Sequence, residues 1–213
     1  MKAHSFIYLI IYSCFIMSVS LQAQEHFADR YNVSYITMDD GLPHNFIDDI
    51  YKDTRGFLWI STAGGGLSRY DGYEFIHFNP NTPHSKLKSN FIHNVYEDRF
   101  HRLWIVSEGG TDIIDLSTLQ SVIPNDPKGL LPRFINHPTY IVILDSQGCI
   151  WLQCDNALHR ITFDAEGGID TLSTLDLPEQ DEPDLILKDI DEDGKIWTGI
   201  NGTIYKITPT PQG

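Results

Sequence analysis

Residues 53–72 read DTRGFLWISTAGGGLSRYDG, and this stretch decides the fold of the chain. Asp53 and Gly56 are turn-forming residues, FLWIST is an apolar run rich in β-formers, and three glycines at 64–66 separate it from LSRY. A phosphate-binding loop would need a Lys-Ser or Lys-Thr pair after the glycines and a helix beyond them, and the sequence offers neither. The glycines therefore predict a tight turn between two antiparallel strands.

The same pattern recurs three more times. The chain has 4 tryptophans, and they are spaced by 45, 47 and 46 residues. An Asp stands six residues before each Trp, and a Gly stands three residues before it in every unit except the second, which has His101. A period in the mid-forties predicts a repeat architecture. The structural repeat residues are Trp59, Trp104, Trp151, Trp197, Asp53, Asp98, Asp145, Asp191, Gly56, Gly148 and Gly194.

Each unit contains four short apolar runs separated by turn residues. In the first unit these are FIDDIYKD, FLWIST, LSRY and YEFIHF, with Asp71-Gly72 predicting a two-residue hairpin before the last. Four antiparallel strands per period, without a helical pattern, are typical of a β-propeller blade. The sequence therefore predicts an all-β fold, a β-propeller of about four blades of four antiparallel strands. Each Trp should be buried between neighbouring blades.

Composition and charge exclude several classes of function. The net charge of -14 argues against nucleic-acid binding and against docking on anionic lipid. Cys149 and Cys154 flank a Trp in a predicted strand, which favours two buried thiols. Residues 189–194 match the first half of a calcium loop, but Ile200 occupies the position of the bidentate Glu. We predict no metal, no cofactor and no catalytic residue.

The N-terminus has the layout of a secretory signal peptide. Lys2 precedes an apolar run from Phe6 to Val19, and Leu21-Gln22-Ala23 is suited to cleavage. We therefore predict a signal peptide at 1–23, β-propeller repeats at 24–213, and a periplasmic or other extracytoplasmic location. An uncleaved membrane anchor is the alternative. No other membrane segment is expected.

The stretch at 40–72 and the preceding YITMDDGLP at 35–43 resemble the two-component regulator propeller repeat. This family is found in extracytoplasmic sensors of hybrid two-component systems of gut Bacteroidetes, and the resemblance covers about residues 31–208. It implies that the four units are part of a seven-bladed propeller and that the ligand is an oligosaccharide. The rest of the propeller or a second subunit is the implied partner. Kinase activity would belong to a full-length parent with a kinase domain.

The two ends of the repeat region leave two architectures open. The fourth unit stops after its third strand, whereas YNVSYIT at 31–37 predicts a strand before the first unit. That strand could complete the fourth unit and close a four-bladed ring. Alternatively, the units form an open arc with an unpaired edge strand, which is prone to association.

The candidate ligand site lies in the connections from one blade to the next, since loops on a rigid scaffold concentrate function. These connections are residues 39–45, 79–90, 124–138 and 177–184. The candidate ligand-binding residues within them are His44, Asn45, Asn90 and Arg133. Three functions remain in view: a glycan-binding sensor segment, a protein-interaction propeller without a small ligand, and a propeller glycoside hydrolase.

Overall fold

A computed structural model of the chain describes residues 32–83, 86–154, 157–176, 185–191, 194–200 and 203–208. The chain divides into two compact units, one ending at Ile36 and one beginning at Thr37. The predicted strand at 31–37 is wrong for residues 32–37, which form no strand. Val33 and Tyr35 are exposed there, so burial of apolar side chains does not favour a strand. Within the described ranges, no helix is long and apolar enough to cross a bilayer.

The second unit is built of antiparallel sheets. The first sheet contains β1 (Ile47–Lys52), β2 (Leu58–Thr62), β3 (Gly66–Tyr70) and β4 (Phe75–Phe78). The second contains β5 (Ile92–Glu97), β6 (Arg102–Ser107), β7 (Gly110–Asp115) and β8 (Gln120–Ser121). The third contains β9 (Thr139–Leu144), β10 (Ile150–Cys154), β11 (Ala157–Phe163) and β12 (Ile169–Asp176). The fourth contains β13 (Leu185–Ile190), β14 (Ile196–Ile200) and β15 (Thr203–Ile207). The described ranges also contain two short helices, which are a 3-10 helix at Met38–Asp40 and α1 (Pro132–Ile135).

Every sheet pairs its strands in chain order, which confirms the predicted blade. The glycines at 64–66 lie at the turn from β2 to β3, as predicted. The predicted two-residue hairpin at Asp71-Gly72 is wrong, because Tyr70 pairs with Phe75 across a four-residue loop, 71–74. Asp71 Oδ1 accepts hydrogen bonds from the amides of Tyr73 and Glu74, both at 2.8 Å, and this stabilises the wider turn.

The tryptophans pack against the next sheet along the chain. Trp59 shares a core cluster with Leu103 of the second sheet, and Trp104 shares one with Val142 of the third. Both indoles are fully buried. The expectation that all four tryptophans are buried alike is wrong for Trp197, which is 37% exposed. The reason is that no described strand covers the fourth sheet on its Trp side.

The Asp of each unit organises both the turn and the Trp. Asp53 Oδ1 accepts the amide of Phe57 at 2.9 Å, and Asp53 Oδ2 accepts the indole Nε1–H of Trp59 at 2.9 Å. The equivalent Asp–Trp bonds in the other three units measure 2.8–2.9 Å. Gly56 lies at φ 93° in this turn, and His101 occupies the equivalent position at φ 58°. The turn thus requires a left-handed residue, which glycine adopts most easily.

Side chains on the first strand of two sheets also bond to the backbone of the following sheet. Asn94 donates from Nδ2 to the carbonyl of Val142 and accepts the amide of Val142 at Oδ1, both at 3.0 Å. Asp49 occupies the equivalent position in β1, and its Oδ2 accepts the amide of Val95 at 3.4 Å. These contacts fix β1, β5 and β9 beside one another.

Candidate functional site

The connections into β1, β5 and β9 meet the β2–β3 and β6–β7 turns at one end of the sheets, which we call the loop end. The carbonyl of Asn90 accepts the amides of Gly64 and Gly66 at 3.0 and 2.9 Å. A methyl group on Gly65 would meet Cβ of His44 at 3.0 Å, so the connection into β1 packs on the same turn. The loop end is therefore a continuous surface formed by consecutive blades.

The four residues predicted as ligand contacts differ in what the structure shows of them. His44 and Asn45 are exposed, and Nδ1 of His44 accepts the amide of Phe46 at 3.1 Å. Asn90 is half-buried and contacts the same turn as His44. The backbone of Arg133 lies in α1, and its side chain is outside the described residues. The connection at 177–184 is also outside them.

The connections at the loop end are anchored to the blades. Lys88 Nζ lies 3.0 Å from Asp112 Oδ1 and donates to the carbonyl of Thr111 at 2.6 Å. Leu131 and Phe134, on either side of Arg133, are buried in the core between the second and third sheets. The loop end is thus held by a salt bridge and by apolar packing, and it presents a defined surface.

In the first three sheets, a β-bulge near the loop end interrupts the pairing of the first strand. The pairing of β1 with β2 skips Asp48, the pairing of β5 with β6 skips His93, and the pairing of β9 with β10 skips Tyr140. Each of these residues stands 11 positions before the Trp of its unit. Bulges redirect a side chain and are common beside functional sites. We call these three residues the bulge row. In the fourth sheet the irregularity falls between Leu187 and Asp189 and does not continue the row.

The members of the bulge row are neighbours in space. The rings of His93 and Tyr140 have centroids 5.4 Å apart with an interplanar angle of 34°. Burial lowers the pKa of His93, although the charges of Asp48 and Glu108 oppose this shift. Burial also raises the pKa of Asp48, against the opposing effect of His93. A carboxylate, an imidazole and a phenol therefore lie in sequence across three adjacent blades.

Unpaired polar atoms and exposed aromatic rings lie in and beside the row. His93 Nε2 and Asn90 Oδ1 are both buried atoms without a hydrogen-bond partner among the described residues. Phe46 and Phe91, which enter β1 and β5, are 62% and 48% exposed. Buried polar atoms normally have partners, and exposed rings contribute apolar contact area. The combination is suited to binding a small molecule with both polar and apolar faces.

Sequence reasoning missed the bulge row, although a signal was present. Asn-Phe-Ile occurs at 45–47 and again at 90–92, and the next residue is Asp48 in one case and His93 in the other. Strand periodicity predicts that a side chain alternates between faces, and a bulge breaks that alternation. Counting back from each Trp would have shown that Asp48, His93 and Tyr140 occupy the same position in their repeats. It would not have shown in which direction their side chains point.

A polar cluster at the opposite end of the sheets is structural by contrast. Glu97 is buried, and its two carboxylate oxygens accept the amide and the hydroxyl of Thr54, both at 2.7 Å. Its Oε1 also lies 2.9 Å from Nδ1 of His101. These bonds join the first sheet to the second and leave little capacity for a ligand. The described residues contain no group of three His, Cys, Asp or Glu side chains able to hold a metal ion. Two residues of the calcium-like stretch, 192–193, are outside the described ranges.

The sheets and their loop end define the chain as a segment of a β-propeller. The family model for the two-component regulator propeller matches residues 41–64 and 86–109, which include the whole of β1, β2, β5 and β6. The first two blades are thus similar to the two-component regulator propeller repeat, and the resemblance stated from the sequence is confirmed.

Solved structures with the same fold include extracellular sensor domains. The extracellular domain assigned to the BT4673 one-component system of B. thetaiotaomicron aligns with a TM-score of 0.59 and 26% identity, over 79% of this chain and 23% of that chain. A second structure, in which BT4673 is assigned to a hybrid two-component system, gives a TM-score of 0.56 and 24% identity, over 80% and 24%. The extracellular domain assigned to the BT3049 hybrid two-component system of the same organism gives a TM-score of 0.54 and 20% identity, over 82% and 30%. This chain therefore spans about a quarter of the length of these relatives.

The propeller fold also occurs in an enzyme. Virginiamycin B lyase from Staphylococcus aureus aligns with a TM-score of 0.51 and 17% identity, over 78% of this chain and 57% of the lyase. At this identity the similarity concerns the fold alone. Among curated proteins, none matches the chain.

Proposed function

We propose that this chain is an N-terminal, extracytoplasmic propeller segment of, or derived from, a hybrid two-component sensor, and that its loop end binds an oligosaccharide without chemical turnover. Similarity to the extracellular domains of such systems supports the sensor part of the proposal. The rest of a propeller, or a second subunit, would complete the structure, and any kinase activity would belong to a full-length parent.

The observation that carries the binding proposal is the bulge row. Three adjacent blades each redirect one polar or aromatic side chain to the same end of the sheets, where Phe46 and Phe91 are exposed. Sugars present hydroxyl groups at their edges and C–H groups on their faces. Polar side chains together with aromatic rings match both, as in other small-molecule sites.

Binding and turnover on a panel of oligosaccharides test this proposal. We expect the purified chain to bind a subset of the panel and to release no product from it. Replacing His93 by Ala should weaken binding, and replacing the exposed Tyr73, in the β3–β4 loop at the other end of the sheets, should not. Turnover would favour the glycoside hydrolase. Binding of a protein partner with no oligosaccharide binding would favour the interaction propeller.

Export is the second part of the proposal. The signal peptide predicted at 1–23 is outside the described residues, so it remains a prediction from the sequence. Mass spectrometry of the protein from a periplasmic or secreted fraction should give a chain that begins at Gln24. Persistence of an intact chain that begins at Met1 in the membrane fraction would support the anchor alternative instead.

A further inference from the structure

The bulge row lies in a negatively charged part of the surface. Asp48 and Glu108 both act on the charge state of His93, and Asp49 follows Asp48 in β1. Among the described residues, no lysine or arginine forms an ion pair with Asp48 or Glu108, whereas the nearby Lys88 is paired with Asp112. In the part of the chain that the structure describes, the carboxylates beside the row therefore have no lysine or arginine partner.

His93 does not neutralise these carboxylates. Burial lowers its pKa even though two negative charges act in the opposite direction, and a lowered pKa favours the neutral form of the ring. The charged groups that act on it come from β1 (Asp48) and from the β6–β7 turn (Glu108), and Tyr140 of β9 contacts its ring. A neutral imidazole offers one donor and one acceptor, and its Nε2 has no partner here.

The ionised carboxylates of Asp48 and Glu108 can only accept hydrogen bonds, and so can the buried Oδ1 of Asn90, which has no partner among the described residues. Two aromatic rings, Tyr140 and the exposed Phe91, are close by in β9 and at the start of β5. A cation is attracted both by carboxylates and by the faces of aromatic rings.

We propose that the bulge row, together with Glu108, binds a protonated primary amine of the ligand. This inference rests on the proposed ligand-binding role of the loop end and specifies the chemistry of one part of that site. The amine donates hydrogen bonds to Asp48 and Glu108, and the rings of Tyr140 and His93 border it. An amino sugar and a simple aliphatic diamine both supply such a group, and the experiment separates these two sources.

The test compares three probes by titration calorimetry on the full chain at a pH where the amines are protonated. The probes are a glucosamine tetramer, the N-acetylglucosamine tetramer of the same length, and butane-1,4-diamine. We expect the glucosamine tetramer to bind at least about tenfold more tightly than its acetylated counterpart, since one charge-assisted hydrogen bond is worth roughly that factor. If the diamine binds as tightly as the glucosamine tetramer, the amine alone is recognised, and the site takes aliphatic amines.

Matched charge variants locate the effect. Asp48→Asn and Glu108→Gln each remove one exposed negative charge at the loop end, and Glu74→Gln removes one from an exposed turn at the other end of the first sheet. We expect the first two variants to abolish most of the preference for the amine and the third to retain it. Melting temperatures equal to that of the unmodified chain verify that all three variants fold.

Three results would overturn the inference. Equal affinity for the two tetramers overturns it while leaving oligosaccharide binding intact. An equal loss of affinity in Glu74→Gln and Asp48→Asn assigns the preference to the overall charge of -14 and not to the bulge row. Absence of binding by every probe and by the whole oligosaccharide panel overturns both the inference and the proposed function.

Discussion

A single carboxylate performs two tasks in each repeat. Asp53 closes the turn between β1 and β2 through Oδ1 and holds the indole of Trp59 through Oδ2. The sequence spacing of six residues predicts the turn, because Asp and Gly are turn formers. It does not predict the bond to the Trp, since that bond depends on the direction of two side chains across a folded hairpin.

Replacing Asp53 by Asn tests this double role. The amide oxygen can still accept the turn amides, but its NH2 group would face the indole N–H, so two donors meet in a buried position. We expect a loss of about 1–3 kcal/mol in the free energy of unfolding. Asp71→Asn is the matched control, because Asp71 accepts only backbone amides and is exposed. Equal effects of both changes in urea denaturation would contradict the role of the Asp–Trp bond.

Asp49 and Asn94 show the same contact made with and without a charge. Asn94 both donates to and accepts from Val142, whereas Asp49 only accepts from Val95. Burial, the largest effect, raises the pKa of Asp49, and the charge of Asp48 acts in the same direction. The ionised carboxylate at this position is therefore less favourable than an amide would be.

We expect Asp49→Asn to stabilise the fold by about 1 kcal/mol at pH 7, the net worth of one additional hydrogen bond. A folded-state pKa above the unperturbed value of 3.8 means that the protonated form of Asp49 favours folding. The contribution of Asp49 to the free energy of unfolding of the unmodified chain is thus largest below pH 3.8, and it is lost as the pH rises through the folded-state pKa. The advantage of Asn should shrink on acidification in chemical denaturation, and an advantage that grows instead would contradict this account.

At the scale of the strand, hydrophobic periodicity predicted which segments form strands, but it did not predict where the bulges fall. The four runs of the first unit became β1 to β4, because alternating apolar residues bury one face of a sheet. The bulges at Asp48, His93 and Tyr140 were not predictable from that alternation, since one extra residue changes the direction of a side chain without changing composition. Because the bulges were not predictable, the candidate site residues were chosen from the loops alone, and the bulge row beside those loops was missed.

The contribution of each Trp to the free energy of unfolding depends on whether a neighbouring sheet covers it. Trp59→Ala and Trp104→Ala should each lower the free energy of unfolding by about 3–5 kcal/mol, the usual loss for a buried large aromatic residue. Trp197→Ala should cost less, below about 2 kcal/mol, because part of its surface is already in contact with water. Thermal and urea melts measure the difference. An equal loss in all three variants would mean that the fourth sheet is covered on its Trp side in solution.

At the scale of the molecule, the fourth sheet has an open edge and an uncovered face. β15 pairs only with β14 in the part of the chain that the structure describes. Ile204, on this edge strand, is 76% exposed, and Tyr205 beside it is also exposed. An apolar edge strand of this kind favours pairing with another chain.

We therefore expect the isolated chain to self-associate with increasing concentration, and Ile204→Lys to reduce that association. A charge on an edge strand opposes strand pairing between molecules. Sedimentation velocity over a range of concentrations gives the measurement, with Ile123→Lys, a change of a similarly exposed isoleucine outside the strands, as the control. Equal reduction by both changes would indicate general charge repulsion.

The number of blades and their register followed from the tryptophan spacing, because a repeated unit leaves a repeated sequence. The closure of the repeat region did not follow, because a strand prediction at 31–37 considers residues without their partners. Val33 and Tyr35 have the composition of a strand, yet they are exposed and not part of one. An apolar pattern shows that a segment has strand propensity. Whether the segment forms a strand depends on whether a neighbouring strand is available to pair with it.

The chain-order pairing of every sheet has a consequence for folding during synthesis. Each strand bonds to the strand immediately before or after it, so no hairpin waits for a distant segment to arrive. Contacts that are close in sequence close quickly, with little loss of loop entropy. A blade can therefore form as soon as its own forty or so residues emerge, roughly the period of such a repeat. The first blade then offers a surface on which the second can assemble, and we expect folding to proceed from the N-terminal end one blade at a time.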